Sequence, residues 1–151
     1  MKIDRSHKSN PAGFTLIELM LTVGVISILL MVTVPVMQRY LVRNDMDVLS
    51  SVIVQDLYRS QSLARAGENN GSWGVYVQNG SITLFQGSSY TSRNQAKDEV
   101  YTMSPSIVVS GKNEFVFTIF TGNVVSSGST TITNAADAKT VTVSAKGVIE
   151  Y

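Results

Sequence analysis

One stretch restricts what this 151-residue chain can fold into more than any other. From Phe14 to Met37, 17 of 24 residues are apolar, and no residue between Leu19 and Gln38 is charged. A helix on a soluble domain shows an apolar stripe, whereas this run is apolar on all sides. At about 1.5 Å per residue it extends roughly 36 Å, against about 30 Å for the hydrocarbon core of a bilayer. The segment suits lipid, or packing among like helices. Ahead of it, residues 1–13 carry Lys2, Arg5, Lys8 and Asp4. Such a basic head is held in the cytoplasm by the positive-inside rule, sending the C-terminal bulk outward. Arg39 and Arg43 beyond the run weaken that asymmetry without reversing it. A plain secretory signal needs a shorter apolar region and a small-x-small cleavage site. Pro35-Val36-Met37-Gln38-Arg39-Tyr40 offers none.

Composition removes several chemistries. The only histidine, His7, precedes the apolar run, and the chain has no cysteine. Ser-His-Asp and Cys-His catalysis, His/Cys zinc sites and disulfides are all excluded. With 12 Lys and Arg against 11 Asp and Glu, net charge gives no case for a nucleic-acid partner.

Glu18 is the informative residue of the run. A carboxylate at mid-bilayer depth costs roughly 2.5–3.5 kcal/mol, less near the headgroups. The plain interpretation is an interfacial acid that snorkels or stays protonated. The functional one is an acid awaiting a cation, and no Lys or Arg lies within a turn or two on the same helix. Cleavage between Gly13 and Phe14 would create an α-amino group one helical turn from Glu18, on the same face. A neighbouring subunit's amino terminus would serve as well and would fix the axial stagger between subunits.

Gly13-Phe14-Thr15-Leu16-Ile17-Glu18, behind a short basic head and ahead of a long apolar run, closely resembles the class III signal of type IV pilins and type II secretion pseudopilins. The resemblance implies cleavage by a prepilin peptidase after Gly13, N-methylation of Phe14 and pairing of Glu18 with the methylated amine during filament assembly. It implies further partners: other pilin or pseudopilin subunits, an inner-membrane assembly platform, and the membrane itself before assembly. Pro35 falls where these proteins place a helix-kinking proline. From the residues alone, Pro35 removes one backbone hydrogen bond and disfavours the α region at Val34, and Gly24 is a second soft point.

After Pro35 the pattern turns amphipathic. Val42, Met46, Leu49, Ile53, Leu57 and Ala64, with Ser60 between them, fall within an arc of ~80°. Arg43, Asp47 and Arg59 point away from it. The helix should stop at Gly67, before Asn69-Asn70-Gly71. From Trp73 the period becomes two, and Asn79-Gly80 signals a type I′ hairpin between Trp73–Val77 and Ser81–Phe85. Residues 86–98 form a polar loop. Further strands are expected at Glu99–Met103, Ile107–Ser110, Glu114–Phe120, Asn123–Ser126, Ser129–Thr133, Lys139–Ser144 and Val148–Tyr151, with glycine turns between most of them. The expected class is α+β, a long N-terminal helix packed on an antiparallel sheet or sandwich. Four segments follow: a cleaved leader (1–13), a transmembrane or filament-core helix (14–37), an amphipathic helix (38–66) and a β-rich domain (67–151). Trp73-Gly74-Val75-Tyr76-Val77, Glu114-Phe115-Val116-Phe117-Thr118 and the closing Lys139–Ser144 and Gly147-Val148-Ile149 look like the GspH/FimT type of minor pseudopilin. The resemblance therefore implies a pilin fold.

The residues bear on three functions. A structural filament subunit needs no active site and no cofactor, in keeping with the composition. A filament-tip protein binding DNA or a surface is the alternative. Against DNA, residues 72–151 hold Arg93, Lys97, Lys112, Lys139 and Lys146 against Asp98, Glu99, Glu114, Asp137 and Glu150. Folding could still gather Arg93, Lys97 and Lys112 into the basic cluster that nucleic acid requires. An anchored enzyme has only Asp98-Glu99, a pair expected to be solvated. Asn134-Ala135-Ala136-Asp137 offers two oxygen side chains, too few for calcium. The expectation is no enzyme and no metal.

Overall fold

The computed structural model describes residues 13–135 and 137–151, with the side chains of residues 32, 34–36 and 38–44 outside the described set. The basic head with His7, Ala136, and the side chains of Val42, Arg43 and Pro35 therefore lie outside the described residues. The architecture is α+β: one helix, α1 (Leu16–Ala66), then β1 (Trp73–Gln78), β2 (Ser81–Gln86), β3 (Glu99–Thr102), β4 (Val108–Gly111), β5 (Glu114–Phe117), β6 (Gly128–Thr133), β7 (Ala138–Val143) and β8 (Ile149–Glu150). The chain divides into two units, the first ending at Gln38 and the second running Arg39–Tyr151.

In the first unit the helix begins two residues later than Phe14 and its backbone stays helical through Pro35. Every described side chain from Phe14 to Met31 is exposed. Among the described residues no helix is long and apolar enough to cross a membrane.

In the second unit α1 buries Met46, Leu49, Ile53, Leu57, Ser60 and Ala64, as its periodicity requires. Ser50, Val54 and Gln61 are buried too, so the covered arc widens to about 140° at 100° per residue. Two sheets, not one, account for this: β3-β2-β1-β5 and β4-β6-β7-β8, every pairing antiparallel. Their inner faces close one core on the helix, with Val75, Val77, Ile82, Leu84, Phe115 and Phe117 from the first sheet and Ile132, Val141, Val143 and Ile149 from the second.

Four local expectations change. Gly80 has φ 89°, but Asn79 is not left-handed, so the hairpin is not type I′. The Asn79 side chain instead accepts the Val109 N–H at 2.7 Å, joining this hairpin to β4. The strand expected to reach Phe120 ends at Phe117, because Phe120 turns left-handed (φ 63°) and its N–H caps the helix at Ala64 O. Asn123–Ser126 is not a strand; it makes a single bridge, Val124 to Phe117.

Finally, residues 87–98 form a folded strap over the outer face of the first sheet. Tyr90 stacks on Tyr76 with ring centroids 3.9 Å apart, meets Phe85 edge-on at 5.7 Å, and lies 3.8 Å beneath the Arg93 guanidinium. Glu114 accepts the Tyr90 N–H at 2.6 Å. Gly74 makes room beneath, since a Cβ there would stand 2.7 Å from the Phe85 ring and 2.6 Å from the Phe115 carbonyl oxygen.

Candidate processing and assembly site

The expected cleavage point lies in non-helical, exposed backbone. Residues 13–15 precede α1, Phe14 is 83% exposed, and space around Gly13 is open. Gly13–Phe14 is thus an accessible peptide bond in non-helical backbone. Thr15 fixes where the helix starts: its Oγ1 accepts the Glu18 N–H at 3.3 Å, and its carbonyl accepts the Leu19 N–H at 3.2 Å. Thr15-x-x-Glu18 is thus the first half of a capping box, with Glu18 in the third helical position. The Thr-x-x-Glu spacing was a readable signal for this cap that the reading of Glu18 alone passed over.

The other polar side chains of the run are satisfied on their own helix. Thr22 donates to Leu19 O at 2.9 Å, Ser27 to Val23 O at 2.7 Å and Thr33 to Leu29 O at 2.7 Å. The Glu18 carboxylate has no partner among the described residues, although the helix N-terminus at its side favours a negative charge. Chemically, the site offers an accessible peptide bond followed one turn later by an acid with unused acceptor capacity. Pro35, the expected bend, contributes helical backbone only, and nothing brings it near this site.

The remaining candidates disperse. Asp98 and Glu99 differ from the solvated pair that the sequence suggests, since an arginine holds each. Glu99 takes both Arg59 amino groups at 2.6 Å each, tying β3 to α1, and Asp98 binds Arg93 Nε at 2.7 Å. The Asp98 hydrogen bond holds the Arg93 proton more tightly than usual. Burial raises the Asp56 pKa above its ordinary value, against the attraction of Arg59 and with help from Glu99. Asn134 and Asp137 close the β6–β7 hairpin, Asn134 Oδ1 accepting the Asp137 N–H at 2.9 Å. Among the described residues no metal-binding cluster of three His, Cys, Asp or Glu forms. Arg93, Lys97 and Lys112 do not make one patch. Arg93 is held by Asp98, Lys112 lies 5.8 Å over the Phe115 ring, and the cleft holding Lys97 and Arg59 also holds Glu68, Asp98 and Glu99.

Asp47 does point away from the core, yet it is held by Lys139 at 2.9 Å. Gln61 had no sequence signal. It is buried and donates to Gly122 O and Gly147 O, both at 2.9 Å, fastening the helix end to two turns.

Comparison with known proteins places one part of the chain. Residues 8–34 match the family model of the prokaryotic N-terminal methylation motif. That match supports a pilin-like protein of the prepilin type, processed by a prepilin peptidase. No curated protein and no solved structure matches the chain.

Proposed function

We propose that this chain is a minor pilin or pseudopilin, of the GspH/FimT type, in a type IV pilus or type II secretion system. The observation that carries the reading is the methylation motif over residues 8–34. Its cut point, Gly13–Phe14, falls in exposed non-helical backbone just ahead of α1. Prepilin peptidase cleaves there and methylates the new Phe14 amine. Before assembly, residues 14–37 hold the chain as a single-pass inner-membrane protein with residues 67–151 outside the cytoplasm. The assembly platform then draws it into the filament, where the same residues pack against other subunits. Pro35 bends the helix between its two halves. Glu18, the acid left without a partner, receives the methylated Phe14 amine and sets the stagger. The role is structural, not enzymatic.

Intact-mass analysis of the protein from a cell with its own peptidase tests the reading. The expected result is loss of residues 1–13 and gain of one methyl group. An uncut N-terminus overturns it. Glu18→Ala is expected to be cleaved normally and to enter filaments poorly; normal incorporation removes the register role alone.

A further inference from the structure

Several strand edges of the second unit are covered at least in part. The outer edge of β5 is covered by residues 123–125, with Thr118 N–H donating to Asn123 O at 2.9 Å and Val125 N–H to Val116 O at 2.8 Å. Of the outward N–H groups of β4, that of Val109 is capped by the Asn79 side chain. At the far end of the second sheet, β8 has two residues, too few to template another strand. β3 is different. Met103 N–H bonds to Gly80 O, so with the register Tyr101↔Ile82 the groups of Tyr101 and Glu99 face β2. The N–H and C=O groups of Val100 and Thr102 therefore point off the sheet, and none has a partner among the described residues.

All four β3 residues are exposed, Val100 at 61% and Tyr101 at 41%. Glu-Val-Tyr-Thr holds no lysine, proline or bulge, and its one charge, Glu99, is engaged by Arg59 of α1. Beside this edge, on the helix side, Val48, Leu49, Tyr101, Met103 and Ile107 line a cavity of about 210 Å³. Asp45 stands at its wall, exposed and without a partner among the described residues.

We infer that β3 is a docking edge for an extended segment of another protein, which adds as a fifth strand to the first sheet. Side chains of an added strand alternate between faces. Those on the helix side meet the cavity, which suits one aliphatic side chain, and then Asp45, which calls for a lysine or arginine two residues away. The occupant is thus an extended, basic-aliphatic peptide segment. This inference is independent of how the N-terminus is processed.

The test uses the full chain in detergent micelles and the synthetic peptide acetyl-Thr-Val-Thr-Lys-Thr-amide. On binding, the Val100 and Thr102 amides should exchange at least about tenfold more slowly, whereas Tyr101, already bonded to β2, should not change. Thr102→Pro removes an outward N–H without touching the β2 ladder and should weaken binding by about tenfold. Asp45→Asn should weaken it by about threefold and flatten its salt dependence. Unchanged exchange at Val100 and Thr102 under saturating peptide overturns the inference. So does native-like Thr102→Pro protein that binds undiminished. Concentration-dependent protection of the same two amides without peptide would assign the edge to a second copy of the chain instead, and would equally overturn it.

Discussion

The two halves of α1 meet the same problem, apolar surface on a helix, in opposite ways. In the first half the described side chains are exposed on every side, and each hydroxyl is satisfied within one turn. In the second half a stripe disappears between two sheets; its buried Ser50 and Ser60 bond their own helix, whereas its buried Gln61 is satisfied by residues far along the chain. Apart from the Glu18 carboxylate, the described polar side chains of the first half are satisfied on their own helix. The second is committed to one set of partners. This division suits a segment that changes surroundings while its domain does not.

The comparison is sharpened most by truncating the core. Phe117 is fully buried between the sheets and the helix, so Phe117→Ala should cost about 3–5 kcal/mol in denaturant unfolding of the second unit. Gln61→Leu leaves two turn carbonyls without their donor and should cost about 2–4 kcal/mol by the same measurement. A cost below that of a surface change would break the contrast between local and long-range satisfaction. Arg59→Gln removes a half-exposed ion pair and should cost no more than about 1 kcal/mol, less at high salt.

Asp56 has a smaller effect, visible in pH dependence. Its folded pKa is raised by burial, so its contribution is fully present below the unfolded value of 3.8 and is lost as pH rises through the folded value. Asp56→Asn should therefore raise the thermal midpoint slightly at pH 7, by the equivalent of roughly 0.5 kcal/mol or less, and that gain over the parent should shrink as pH falls. Smallest of all, Leu30→Ser in the first half should leave unfolding of the second unit within about 0.5 kcal/mol of the parent.

Much of the fold was legible because periodicity reports burial. Met46, Leu49, Ile53, Leu57, Ser60 and Ala64 were readable as one stripe, and most strands begin and end within a residue or two of their patterned runs. What stayed hidden depends on tertiary partners. Val54 and Gln61 lie outside the stripe that periodicity marks and are buried only in the folded domain, Gln61 against two turns far along the chain. Tyr90 and Arg93 sit in a polar stretch with no period, and only the Gly74–Phe85 face beneath them gives that stretch a reason to fold. Asn79-Gly80 carries the composition of one turn and adopts another because Asn79 is recruited by β4. At the processing site, Gly13, Phe14 and Glu18 were readable from a linear motif. The Thr15 cap was readable in principle from its spacing.

Gln61 also links steps in the closure of the second unit. Its two acceptors lie 61 and 86 residues further along the chain. Before those turns form, the Gln61 amide of an early helix is hydrogen-bonded to water, and burying it then would cost about 1–3 kcal/mol for the unmade bonds. Full docking of the helix end is therefore coupled to closure of both turns.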